Sequence, residues 1–228
     1  MDTMRVEILS RLWRADWHLS ALLALLLLVV FVVYPMSLRR PWGDLLLESF
    51  MSLILILGAA LVAQLRAARA LGMLCAAGAI VIGWVRLFSA SVALEVVGIS
   101  LLIVFLAVLA TALLIRVFGE GRINLHRIQG AVAAYLLLGV MWAGCYRLVV
   151  LGDPAAFSMP AVVDEGTLMS KLIYFSFATL TTVGYGDVTA VDTAARSLAM
   201  LEALTGQLFP AVLIARLVSL EVIHRNEI

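Results

Sequence analysis

The chain has 228 residues, 64% of them hydrophobic and only 14% charged, well below the roughly one quarter expected of a soluble domain. With a mean hydropathy of +1.10 it reads as an integral membrane protein. A formal net charge of +1, carried by scattered single arginines, gives no ground for a nucleic-acid partner.

In chain order, residues 1–17 come first. Val6, Leu9, Leu12, Trp13 and Trp17 recur at helical spacing among arginines and aspartates, which predicts an amphipathic helix lying in the headgroup layer. Arg5, Arg11 and Arg14 alternate with Asp2, Glu7 and Asp16, and no small-residue cleavage site follows. The first apolar run is therefore expected to be retained rather than removed as a signal.

A helix crossing a hydrocarbon core of ~30 Å needs roughly 20 apolar residues. Such runs lie at about 18–34, 45–65, 71–89, 92–117, 128–151 and 193–219. The breaks between them carry prolines and a glycine (35–43), two arginines (64–69) and Gly119-Glu120-Gly121, all poor continuations of a buried helix. Six spans put both termini on one side. Arginines in the amino-terminal arm, at 66 and 69, at 116, 122 and 127, and at 225 make that side cytoplasmic. Arg39 and Arg40 fall on the other side and weigh against this orientation without reversing it. Cys75 and Cys145 lie inside apolar runs without metal-ligand spacing and are expected to pack as small hydrophobes.

The fourth run lacks the arginine at every third position that a voltage sensor needs, since one charge moved through 100 mV yields only ~2.3 kcal/mol. Arg116 is the single arginine between residues 99 and 118. His126 falls in the following linker; the expected reading is a solvated histidine, a protonation switch being the alternative.

Gly152-Asp153-Pro154 should end the fifth helix, and a polar loop runs on to Thr167. The next apolar stretch, 168–180, has only about 13 residues, too few to cross, and predicts a re-entrant half helix. Residues 181–187, TTVGYGD, follow directly. Polar backbone at membrane depth is tolerated where it is buried in protein or lines water. Gly184 and Gly186 permit backbone conformations that β-carbons resist, so successive carbonyls can face one side. Repeated about a symmetry axis, such a wall would make a cage of oxygens for a dehydrated cation.

Thr182, Val183, Gly184, Tyr185 and Gly186 in this setting of outer helix, half helix and inner helix resemble the signature filter of potassium channels. The resemblance covers residues 128–220; the first four runs resemble the peripheral domain of a six-helix channel in number and length alone. It implies an all-α integral membrane protein with six transmembrane helices, a re-entrant pore helix and a selectivity filter. Its divisions would be an interfacial helix (1–17), a four-helix peripheral domain (18–118), a linker (119–127), a pore domain (128–220) and a short cytoplasmic tail (221–228).

The resemblance further implies that the carbonyls of Thr182, Val183, Gly184 and Tyr185, with the Thr182 hydroxyl, coordinate potassium ions at stacked sites. Asp187 would sit at the outer mouth, with Thr181, Tyr174 and Phe175 as filter support. Tyr174 and Phe175 occupy positions where many relatives carry tryptophans. The Tyr174 hydroxyl can reach Asp187, whereas Phe175 has no donor, so one brace on Tyr185 is missing. The carboxyl end of the half helix would favour a cation at the pore centre.

In the last run the resemblance places Gly206 where potassium channels often have a hinge glycine, and Gln207, Pro210 or Ala211, Ile214 and Leu217 or Val218 share a face expected to line the inner cavity. Ordinary helix packing is the alternative for Gly206 and Pro210. Glu202 is an ionisable group inside a span and a functional candidate by default. It is placed with the inner cavity, tuning its potential, or hydrogen-bonded to the back of the pore helix near Thr179 or Thr181, or in a purely structural role. Arg86, Glu48 and Glu95 are expected to form a charge-pairing cluster or to snorkel, and Arg147 to pair with Asp153, Asp164 or Glu165.

The expected function is a homotetrameric, potassium-selective channel in a cell membrane, a bacterial inner membrane by the compact length. One filter segment per chain argues for four copies. Potassium ions and membrane lipid are the expected partners, with no cofactor beyond the permeant ion. A poorly selective cation channel and a non-conducting regulatory subunit are the alternatives. An enzyme is not expected, because no nucleophile-base set, metal cluster or phosphate-cradling loop is present.

Overall fold

The computed structural model describes residues 18–34, 43–63, 68–89, 91–119, 125–159 and 165–225. The expected interfacial helix at 1–17 and most of the 119–127 linker lie outside these residues. Seven helices follow in order: α1 (His18–Val33), α2 (Gly43–Val62), α3 (Arg69–Arg86), α4 (Val92–Phe118), α5 (Leu125–Gly152), α6 (Glu165–Leu180) and α7 (Thr193–Arg225). Two short strands, β1 (Phe157–Ser158) and β2 (Thr189–Ala190), pair antiparallel.

Among the described residues five helices, α2, α3, α4, α5 and α7, are long and apolar enough to cross a membrane. The sequence predicts six spans. The difference is α1, whose described residues, His18–Val33, close on a π-helical turn at Val29–Val33 and number about one turn fewer than the roughly 20 a bilayer requires. α5 begins at Leu125, so His126 belongs to its first turn, with Nδ1 3.2 Å from Gln129 Oε1, rather than to a linker.

α4 and α5 run alongside one another as the most extensive helix pair. Their approach is close at Gly144, where a β-carbon would stand 3.2 Å from Ile103. α1 lies against the start of α5, with Ser20 Oγ donating to Gln129 Oε1 at 2.7 Å. One apolar core joins α1 to α5; a second, around Tyr146, Phe157, Leu172, Phe175 and Leu180, joins α5 to α6 and the two strands. α5 stops at Gly152, and Asp153 Oδ1 accepts from Ala155 N at 2.9 Å, the Asx-type closure that suits an Asp-Pro turn.

Glu95 and Arg147, charges buried between helices, are paired with each other. Glu95, in the first turn of α4, receives Arg147 Nε of α5 at 2.7 Å and Arg86 Nη2 of α3 at 3.3 Å on the same oxygen. Glu48 lines the same crevice as Arg86. The structure thus gives Arg147 a partner that the sequence reading does not name. Of the expected partners, Asp153 serves its own turn, and the side chains of Asp164 and Glu165 lie outside the described residues. Glu95 and Arg147 are both buried, and a bare charge there would cost several kcal/mol, so pairing is the physical condition for keeping either.

α7 is the least covered helix: 11% of its apolar span is buried within the chain. At its far end Arg216 Nη2 donates to Phe118 O, the last residue of α4, at 3.1 Å, satisfying a carbonyl that a helix terminus otherwise leaves open.

Candidate functional site

α6 ends at Leu180, and the chain then turns on a single carbonyl. Ala178 O accepts from both Val183 N at 2.9 Å and Gly184 N at 3.0 Å, while Thr182 N bonds to Thr179 O at 2.9 Å. The backbone beyond alternates in hand, with φ of +60° at Thr182, +54° at Gly184 and +80° at Gly186, and no positive φ at Val183 or Tyr185. Left-handed residues at every second position align successive N–H groups on one side of the chain and carbonyls on the other. Glycine adopts this hand freely; for a threonine it costs roughly 1–2 kcal/mol, a strain that persists where surroundings and function demand it.

Residues 181–187 are all exposed on the single chain, Tyr185 by 72%. The far end of the segment is braced. The Tyr174 ring stacks on Tyr185 with centroids 6.1 Å apart and planes 9° from parallel, and its hydroxyl donates to Asp187 Oδ1 at 3.1 Å. Phe175, one residue on, points elsewhere, edge-on to Tyr146 at 5.0 Å and Phe157 at 5.3 Å. Consecutive helical positions diverge by about 100°, so one aromatic serves the segment and the next serves the core. Thr181 Oγ1 donates back to Phe177 O at 2.6 Å.

Three α7 residues meet the end of α6. Glu202 is fully buried; it accepts from the Tyr146 hydroxyl of α5 and, at 2.5 Å, from Ser176 Oγ of α6. Of the alternatives expected for Glu202, this is the hydrogen bond to the back of the half helix and not a place on the inner cavity. Glu202 and Gly206 are four residues apart and share the α7 face pressed against α5 and α6, so the carboxyl faces protein. Its partner on α6 is Ser176, whose single hydroxyl proton has Gly139 O within reach at 2.7 Å as a second acceptor, rather than Thr179 or Thr181.

Gly206 is placed where backbones touch. A β-carbon there would collide with Leu180 O and stand 2.7 Å from Leu180 C; Leu180 O also accepts from Tyr135 Oη of α5 at 3.0 Å. Pro210 lies inside a continuous helix. Its ring crowds the carbonyl four residues back, which belongs to Gly206. Gly206→Ala should therefore lower the stability of the detergent-solubilised protein by about 1–3 kcal/mol, read as a lower unfolding temperature, because the carbonyl it strikes is fixed at the end of α6. Gln207, on the next face, reaches Thr182 Oγ1 with Nε2 at 3.1 Å, and Ile214 is exposed two turns on.

Tyr146, Ser176 and Tyr135 are missing from the sequence reading. A signal was available: Tyr135 and Tyr146 stand three helical turns apart in an otherwise apolar run, which puts two hydroxyls on one face, and buried hydroxyls need partners.

The family model described as "Ion channel" matches residues 134–222, the stretch from the middle of α5 through most of α7 that holds all of this geometry. Protein LctB of Bacillus caldotenax is 33% identical over 125 residues, covering 50% of this chain and 92% of LctB. No solved structure matches. A backbone of alternating hand at the end of a short apolar helix, inside an ion-channel match and a relative covered over nearly its full length, identifies the chain as a member of the potassium-channel superfamily of ion channels.

Proposed function

We propose that this chain is one subunit of a homotetrameric channel that conducts potassium selectively. The observation that carries the reading is the alternation of left-handed residues at 182, 184 and 186 in an exposed segment, which aligns carbonyls along one wall. Four walls around an axis form stacked oxygen cages from Thr182, Val183, Gly184 and Tyr185, able to replace the hydration shell of a cation. Asp187 is the charge at the mouth, and α6 is a re-entrant helix whose carboxyl end favours a cation. The exposed apolar face of α7, including Met200, Leu204 and Leu208, is available to line the axis and meet other copies.

In this reading α1 is a sixth span, α1–α4 form a peripheral domain, α5–α7 form the pore domain, and both termini are cytoplasmic in a cell membrane. α4 carries one basic residue, Arg116, in its last turn, too little charge for classical voltage gating.

The test is flux from potassium-loaded liposomes diluted into sodium or N-methylglucamine. Potassium efflux far faster than sodium uptake is the expected result. Comparable rates for the two ions would replace the reading with a poorly selective cation pore, and silence from an assembled tetramer would favour a non-conducting subunit.

A further inference from the structure

The two threonine hydroxyls that follow α6 are used differently. The Thr181 hydroxyl donates its proton to Phe177 O and is committed to the helix end. The Thr182 hydroxyl receives an amide N–H from Gln207 of α7, with Nε2 at 3.1 Å. Both ends of this bridge are held by backbone. Thr182 N is tied to Thr179 O at 2.9 Å, and Gln207 follows Gly206, whose contact with Leu180 sets how closely α7 approaches α6. The Gln207 amide oxygen has no hydrogen-bond partner among the described residues.

We propose that Gln207 is a positioning residue for the innermost cation site, its amide N–H holding the Thr182 hydroxyl so that an oxygen lone pair faces the conduction axis. This rests on the channel reading above. A hydroxyl oxygen has two acceptor sites. Gln207 occupies one, a nearby cation repels the hydroxyl proton, and the second lone pair remains for the ion. Without the amide the side chain is free to rotate, and a ligand that must be ordered on binding holds its ion less tightly. Symmetry repeats the bridge in every subunit, so the oxygens are held as one ring. The amide is neutral, so it orders this site without the fixed charge that would draw in divalent cations.

The experiment uses the full chain in liposomes, with potassium flux inhibited by barium, a divalent ion of similar size to potassium. Gln207→Met keeps the length of the side chain without its N–H donor, and Gln207→Asn keeps the amide but is one methylene too short to bridge. Both are expected to raise the barium inhibition constant and the potassium concentration for half-maximal flux by about tenfold, comparable with the net worth of one hydrogen bond. Maximal flux and exclusion of N-methylglucamine should change far less, a split that a merely structural role would not produce. Conducting variants with an unchanged barium constant would overturn the proposal alone. Failure of both variants to assemble would also overturn it, making Gln207 a packing residue. A silent wild type would overturn the channel reading and this proposal with it.

Discussion

Liposomes carrying Gly186→Ala are expected to release potassium at least about a hundredfold more slowly than wild type, a loss equivalent to roughly 2.7 kcal/mol, while the protein still assembles. The expected separation of assembly from conduction comes from what does and does not oppose the new methyl group. A β-carbon at Gly186 would meet no atom within 4 Å among the described residues, so packing within the chain does not resist it. The backbone does: φ is +80°, and an L-residue in the left-handed region costs roughly 1–2 kcal/mol, incurred once in each of four proposed subunits. The cheapest relief is rotation of a peptide plane, which turns one carbonyl away from the axis and an N–H toward it. A cation then meets a donor where it needs an acceptor. Gly152→Ala is the matched control, because a β-carbon there also meets nothing within 4 Å among the described residues and its φ is not positive. Wild-type flux in Gly186→Ala would show that the alternating backbone is not the conducting element.

Glu202→Ala should lower the stability of the solubilised protein by about 3 kcal/mol, the sum of a small cavity and stranded hydroxyls. The carboxyl is fully buried and joins three helices through Tyr146 and Ser176. Its removal leaves the Tyr146 hydroxyl facing an apolar gap and removes the hydrogen bond between α7 and Ser176 of α6, nearly two turns before the proposed filter. Glu202→Gln should stay within about 1 kcal/mol, because the amide carbonyl can still accept from Tyr146 while its N–H donates to Ser176, whose proton then serves Gly139 O. Thermal unfolding in detergent checks the order, and the potassium-to-sodium flux ratio should fall in Glu202→Ala but hold in Glu202→Gln. Equal stability of all three proteins would show that the buried contacts carry no net energy.

The two glycine variants illustrate how differently one residue type can be legible. The role of Gly186 follows from local spacing: a glycine beside another with one residue between, after a short apolar helix, needs no tertiary contact to explain its hand. Gly206 reads as a hinge from its place in the last run, yet its neighbour in space is Leu180 O, a carbonyl more than two dozen residues earlier in the chain. No local pattern encodes that approach. Phe175 and Tyr174 make the same point, being adjacent in sequence and assigned to different surroundings by helix rotation.

By itself the sequence determined the membrane class, the apolar helices, the short helix before TTVGYGD and the resemblance that this motif carries. These depend on composition, run length and the conformational freedom of glycine, all properties of neighbours along the chain. The tertiary structure alone decided that Glu202 bonds to Tyr146 and Ser176, that Arg147 meets Glu95, and that Gln207 touches Thr182. A buried polar group must find a partner, but which one it finds depends on the rotation and depth of packed helices, and these are settled only when distant segments meet.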